Sequence, residues 1–179
     1  MLQKYNKYRL LRVFFEDPLP KGIGFQLREL SRKIDLAPTS VKKYLNELEK
    51  EGLITKEKHR IHSYPVYYAN REDENFKFLK ELDIIMMIKK SGLLEYLEGR
   101  CMPDVIILFG SASRGEDVKG SDVDLFLLCK ERRLDLKKYE LRLSRKISVF
   151  FCENFNNLSK ELRNNIINGV LLKGYLKVF

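Results

Sequence analysis

The spacing of hydrophobic positions changes several times along the chain, and each change marks an element. Over residues 4–16, Tyr8, Leu11 and Phe15 recur at helical spacing with Leu10 and Phe14 beside them, which predicts a first helix. Asp17-Pro18-Leu19-Pro20 ends it, because proline donates no N–H and biases the preceding residue away from helix. A second helix is predicted over 25–34, with Leu27, Leu30 and Ile34 on one face. After a break at Asp35-Leu36-Ala37, Pro38 suits the first turn of a third helix, striped by Val41, Leu45 and Leu48. Ala37 is a poor N-cap, so Thr39 or Ser40 is expected to cap this helix and Gly52 to stop it. Two strand-like runs, 53–58 and 65–69, flank the basic segment His59-Arg60-Ile61-His62-Ser63 and form a hairpin.

The second half has a different rhythm. Residues 71–98 open with charges and continue as an amphipathic helix through Phe76, Leu79, Leu82, Ile85, Met86 and Leu93. Cys101-Met102-Pro103 breaks it. A continuously apolar strand is expected at 105–109, a Gly- and Ser-rich turn at 110–120, and a second buried strand at 123–129. A basic amphipathic helix over 134–145, a third strand over 147–152 and a helical tail over 158–172 complete the pattern. The expected class is α+β: a helical domain with a hairpin over 1–70, a linker helix over 71–102, and a mixed sheet with flanking helices over 103–179.

The 179 residues are 44% hydrophobic and 33% charged, a balance that excludes a disordered chain. No apolar run approaches the roughly 20 residues that span a bilayer, and the first residues lack the apolar stretch of a signal peptide. A cytoplasmic protein with no membrane partner is expected. The three cysteines, Cys101, Cys129 and Cys152, have no zinc spacing and suggest no disulfide framework; Cys129 and Cys152 lie in apolar runs and read as buried. With only His59 and His62, a histidine metal site is disfavoured. The net charge is +9, of which +6 falls within residues 1–70, pointing that half towards a polyanion.

Helix, short turn, helix and hairpin is the layout of a winged helix-turn-helix, and residues 25–69 resemble that family through RELSRKIDLAPTSVKKYLNELEKEGLITK. The resemblance implies double-stranded DNA as partner. A recognition helix entering the major groove would present Thr39, Ser40, Lys42, Lys43 and Asn46. Lysine neutralises phosphates, whereas Asn and Ser reach base edges. Lys56, Lys58, Arg60 and His62 would set the wing against the backbone. Use of the same fold for protein contacts is the competing reading.

The chemistry concentrates in VIILFGSASRGEDVKGSDVDLFLLC, residues 105–129. Gly110 to Gly115 has P-loop spacing, but that motif continues with Lys and Ser or Thr, and here Glu116 and Asp117 follow. Carboxylates there would repel a phosphate, so the P-loop is rejected. In a second reading, Gly110 admits close approach of backbone to a phosphate, Ser111 donates its hydroxyl from the start of a helix, and Arg114 adds a charged donor. Asp122 and Asp124 stand at i and i+2, so on a strand both carboxylates face one spot while Val123, Leu125 and Leu127 face the other way. Paired oxygen ligands suit Mg²⁺ or Mn²⁺ together with substrate phosphates.

The G-S-x10-D-x-D pattern resembles the DNA polymerase β-type nucleotidyltransferase superfamily and, within it, the small "minimal" nucleotidyltransferases. Residues 104–172 look like one nearly complete domain of that kind, closed by the helix and short strand of 166–172. The resemblance implies that Gly110 and Ser111 hold the β- and γ-phosphates, that Asp122 and Asp124 are catalytic metal ligands, and that Arg114 and Ser121 assist. It also implies a third carboxylate on the next strand, where Ser148 stands; Glu153 could substitute through a bulge, and Asp135 or Glu140 only through a larger rearrangement. Two functions follow as expectations. One is transfer of a nucleoside monophosphate from ATP or another nucleoside triphosphate to an acceptor, a protein in preference to a small molecule. The other is a catalytically impaired transcriptional regulator that binds nucleotide and metal and reports on DNA. A homodimer on a two-fold operator is the expectation by analogy.

Overall fold

The computed structural model describes residues 5–19, 23–59, 61 and 63–178. They divide into two compact units, one ending at Lys80 and the other beginning at Glu81.

The first unit is built on helices α1 (Asn6–Glu16), α2 (Leu27–Ile34) and α3 (Pro38–Lys50) and strands β1 (Ile54–Lys58) and β2 (Pro65–Ala69). Its core gathers the apolar stripes read above: Leu10, Phe14 and Phe15 from α1, Leu30 and Ile34 from α2, and Val41, Leu45 and Leu48 from α3. Phe14 meets Phe25 edge-on at 5.6 Å, a favoured aromatic geometry. Phe25 lies outside α2: its N–H donates to Tyr67 O and its carbonyl accepts from Tyr67 N–H, which adds a bridge beside the hairpin. Asp35, in left-handed conformation, ends α2, and Arg9 Nη2 donates to the Ile34 carbonyl at 2.7 Å. Neither Thr39 nor Ser40 caps α3. Ala37 holds the N-cap position without a side-chain bond, and Pro38 at the first position removes one N–H that would otherwise need a partner.

The helical segment after the hairpin is two helices, α4 (Glu74–Ser91) and α5 (Leu93–Cys101). Gly92, at φ +80°, interrupts the expected single helix. The break is held from several sides. Ser91 Oγ donates to Ile88 O and accepts from Leu93 N–H, while Arg142 Nη1 donates to Ser91 O. Phe76 and Leu79 belong to the first core, whereas Ile84, Ile88, Leu93 and Leu97 belong to the second. No described helix is long and apolar enough to cross a membrane.

The second unit carries a four-stranded sheet in the order β5-β4-β3-β6, formed by β3 (Val105–Phe109), β4 (Val123–Leu128), β5 (Ile147–Cys152) and β6 (Val170–Gly174). β3 runs antiparallel to β4 and β6, and β4 runs parallel to β5. One face buries Ile106, Leu108, Val123, Leu125 and Leu127 with the apolar sides of α4, α5 and α6 (Lys137–Leu143). The other buries Val105, Ile107 and Phe126 with Phe155 and Ile166, the latter on α7 (Lys160–Ile167). The expected helical tail is thus α7 followed by β6, and the β6 register against β3 shifts between Ile106 and Ile107. Cys101 is the buried cysteine; Cys129 and Cys152, read as buried, are only partly so. Burial pushes the Cys129 thiol up to about 11.

Candidate functional site

Both aspartates stand where β4 begins. Asp122 precedes the strand and is exposed; Asp124 is its second residue and is half-buried. Asp124 pairs across the sheet with Phe109 on one side and Ser148 on the other. Cross-strand partners share a face, so Asp124 lies on the α7 side of the sheet, at its end, while Val123, Leu125 and Leu127 lie on the α5 side. The same alternation places Phe126 and Phe150 together, their rings stacked at 6.4 Å.

Gly110 follows β3 with φ +76°. A Cβ built there would fall 2.5 Å from Asp124 Oδ2 and 3.4 Å from Asp124 Cγ. The dihedral therefore favours glycine, and any Cβ there would push the Asp124 carboxylate out of the place it holds. Ser111 opens a single 3-10 turn, Ala112–Arg114, and its carbonyl accepts from Arg114 and Glu116 N–H. This is shorter than the helix start expected from the sequence, and so short a turn supplies little dipole. The Ser111 side chain makes no capping bond. Ser113, passed over in the sequence, fixes the turn: it is buried and its Oγ donates to Gly110 O at 2.8 Å. Arg114 is half exposed and pairs with Glu116 at 2.7 Å. Ser121 accepts from Val118 N–H at 3.0 Å, closing the loop that leads to Asp122.

One contact that periodicity could not disclose ties this loop down. Asp117, 3% exposed, forms an ion pair with Arg145, and Lys146 O accepts from Val123 N–H at 2.9 Å. The segment entering β5 therefore grips both ends of the stretch leading to the aspartates. The only sequence signal for Asp117 was a negative one, its conflict with a P-loop.

Asp124 has its carboxyl raised above the usual range, first by burial and then by the charge of Asp122. A divalent cation relieves both causes, and carboxylate oxygens are the donors Mg²⁺ takes, so the pair fits one such ion. Among the described residues no cluster of three His, Cys, Asp or Glu could hold a metal. Ser148, a hydroxyl, is the residue opposite Asp124. The three substitutes considered for it are elsewhere. β5 keeps an unbroken register from Ile147 to Cys152, so no bulge within it turns the chain back, and the strand from Ser148 to Cys152 alone spans roughly 13 Å before Glu153. Glu140 accepts from Ile147 N–H at 3.1 Å, and Asp135 accepts from Lys137 N–H at 3.3 Å.

In the first unit the residues expected on DNA lie on two neighbouring elements. Thr39, Lys42, Lys43 and Asn46 are exposed on α3, and Ser40 is half-buried. Lys56 and Lys58 are exposed on β1; Arg60 and His62 lie outside the described residues. Stacking of His59 on Tyr64 at 4.7 Å and a 2.7 Å bond from His59 N–H to Tyr64 O close the base of the hairpin loop. Arg28 and Arg32, not singled out in the sequence, line a cleft with Ser31 and Pro38 beside the start of α3.

Residues 91–175 match the family model described as Polymerase beta, Nucleotidyltransferase, and residues 26–55 match the model described as Winged helix-turn-helix DNA-binding. No curated protein and no solved structure matches the chain. One match falls within each of the two compact units. The chain therefore joins an N-terminal winged helix-turn-helix domain to a nucleotidyltransferase domain of the Polymerase beta kind.

Proposed function

We propose that the second unit transfers a nucleoside monophosphate from a nucleoside triphosphate, ATP by preference, to a hydroxyl on a protein, and that the winged helix holds this activity on double-stranded DNA. The observation that carries the proposal is the convergence of Asp124 on Gly110, a carboxylate occupying the space where any other residue would place a Cβ. Asp122 and Asp124 would hold Mg²⁺, or Mn²⁺ in its place. The metal, when bound, supplies charge neutralisation at the phosphates during in-line displacement. The chain's own groups do the rest. The Gly110 backbone approaches the β- and γ-phosphates, Ser111 donates its hydroxyl to them, Arg114 turns from Glu116 to an incoming phosphate, and Ser121 holds the loop before Asp122. On the first unit, Thr39, Ser40 and Asn46 would read base edges while Lys42, Lys43, Lys56 and Lys58 neutralise phosphates.

The deciding measurement is transfer of label from α-labelled ATP to protein in the presence of Mg²⁺. Label on protein with the native chain and none with Asp124→Asn is the expected result; equal labelling by both chains would refute the assignment. A second reading is favoured by one observation, the serine opposite Asp124. In it the domain binds nucleotide and metal without transfer, and the winged helix reports the bound state. Nucleotide binding without label on any protein, coupled to a change in duplex affinity, is its signature.

A further inference from the structure

We propose that Ser148 is itself a nucleotide acceptor, so that the domain modifies the strand beside its own carboxylates; this rests on the nucleotidyl-transfer reading above. Ser148 is the cross-strand partner of Asp124 in a parallel pair, which places their backbones about 4.8 Å apart and their side chains on one face. The stacking of Phe126 on Phe150, the next partners along the same face, fixes that assignment independently. β5 is an edge strand and Ser148 is exposed on it, so a nucleotide can reach its hydroxyl from solvent.

The neighbouring hydroxyls are otherwise engaged. Ser113 is buried and donates to Gly110 O, and Ser121 accepts from Val118 N–H. Ser111 lies in the turn assigned to the phosphates. Tyr139 packs into the core on the opposite face of the sheet. Among the described residues no hydrogen bond holds the Ser148 hydroxyl. A nucleotidyltransferase needs a hydroxyl next to its metal-binding carboxylates, and this chain places one there as part of its own strand.

The step balances without a further reactant. Ser148 Oγ forms a bond to the α-phosphorus, and the bond from that phosphorus to the α–β bridging oxygen breaks. Pyrophosphate leaves with the electron pair, and the hydroxyl proton leaves with it. The product is a serine phosphodiester of the nucleoside monophosphate. It covers the face of Asp124, so the site would act once per chain until the ester is hydrolysed.

The test uses the full chain with MgATP, read by intact mass and peptide mapping, and parallel titration with an ATP analogue carrying a methylene between the α- and β-phosphorus. One AMP is expected on the peptide containing Ser148, absent from Ser148→Ala and Asp124→Asn and regained by Ser148→Thr, which restores a hydroxyl. Analogue binding with no AMP on Ser148, or equal modification of Ser148→Ala, overturns the proposal while leaving the nucleotide site standing. Failure to bind the analogue at all overturns the nucleotidyl-transfer reading, and this proposal with it.

Discussion

The two units carry the side chains proposed for function in opposite ways. On the winged helix, Lys42, Lys43, Asn46, Lys56 and Lys58 stand exposed on elements whose apolar sides form a core elsewhere. Each can be shortened or neutralised without disturbing its neighbours. In the nucleotidyltransferase unit, Gly110 is held against Ser113 and Asp124, and Asp117 is paired with Arg145, in contacts that leave little room. The first arrangement sums independent charges; the second makes one geometry from several residues. Additivity holds for sites without shared partners and fails for groups in contact, so substitutions in the two units obey different rules.

The largest effect is expected where a charge is buried. Asp117 is 3% exposed and the Arg145 side chain 14%. Arg145→Met removes the cation of a buried ion pair, and breaking such a pair from one side costs about 3–5 kcal/mol. On the first unit, Lys7 pairs with Glu47 and Glu51, with the glutamates substantially exposed. Lys7→Met costs less than about 1 kcal/mol, because solvent screens such pairs. Urea unfolding of each variant measures both; equal losses would erase the contrast between the two units.

Next comes Gly110→Ala. The left-handed conformation costs a non-glycine residue about 1–2 kcal/mol, and the new Cβ collides with the Asp124 carboxylate. Displacing the proposed metal ligand should lower affinity by about 100-fold, at the upper end of what disturbed supporting groups cost. Titration with Mg²⁺ and an ATP analogue reads it directly. Affinity within a factor of two of the native chain would mean that the close approach of Asp124 to Gly110 does not matter to the ligand.

The same contrast governs how much was legible in the sequence. Helices and strands with an exposed face declare themselves by period, and a strand buried on both faces by a short unbroken apolar run, so α1 to α3, the hairpin, β5 and β3 fall close to where the pattern puts them. The approach of Asp124 to Gly110 was legible because a turn and a strand bring the two together from within 15 residues of chain. The Asp117–Arg145 pair was not, since its 28-residue separation has no period and only the parallel pairing of β4 with β5 closes it. The split at Gly92 was missed because the apolar stripe continues through it, and the cause, a left-handed residue held by Ser91 and Arg142, is tertiary. The expected caps at Thr39 and Ser40 failed for a local reason: a proline at the first helical position reduces the number of N–H groups that need a cap.

On the winged helix the effects should be smaller and separable. Asn46→Ala is expected to cost about 1–3 kcal/mol at one base-pair position and to relax specificity there alone. Lys56→Gln, on the strand leading to the hairpin loop, should weaken binding to all duplexes alike and reduce the slope of log affinity against log salt by about one. Anisotropy titrations over a salt series distinguish the two. A slope change that depends on duplex sequence would show that β1 does more than neutralise phosphate.

The smallest effect tests the second unit against itself. Asp124 has a carboxyl raised by burial and by Asp122, so its charged form is disfavoured in the folded chain. A carboxylate whose folded pKa exceeds its unfolded one favours folding below the unfolded value, and that contribution is lost as pH rises through the folded value. At neutral pH the ionised group therefore opposes folding. Asp124→Asn removes the charge and should raise the melting temperature of the metal-free protein slightly at pH 7, an advantage that shrinks as pH falls and the native carboxyl protonates. Adding Mg²⁺ should reverse the ranking if, as proposed, the cation binds through this carboxylate, since it would then stabilise only the native chain. Melting curves at two pH values, with and without Mg²⁺, give all four comparisons. If the variant melts lower than the native chain without metal, Asp124 is held by a favourable contact, and the cost of bringing it beside Asp122 cannot be what a metal relieves.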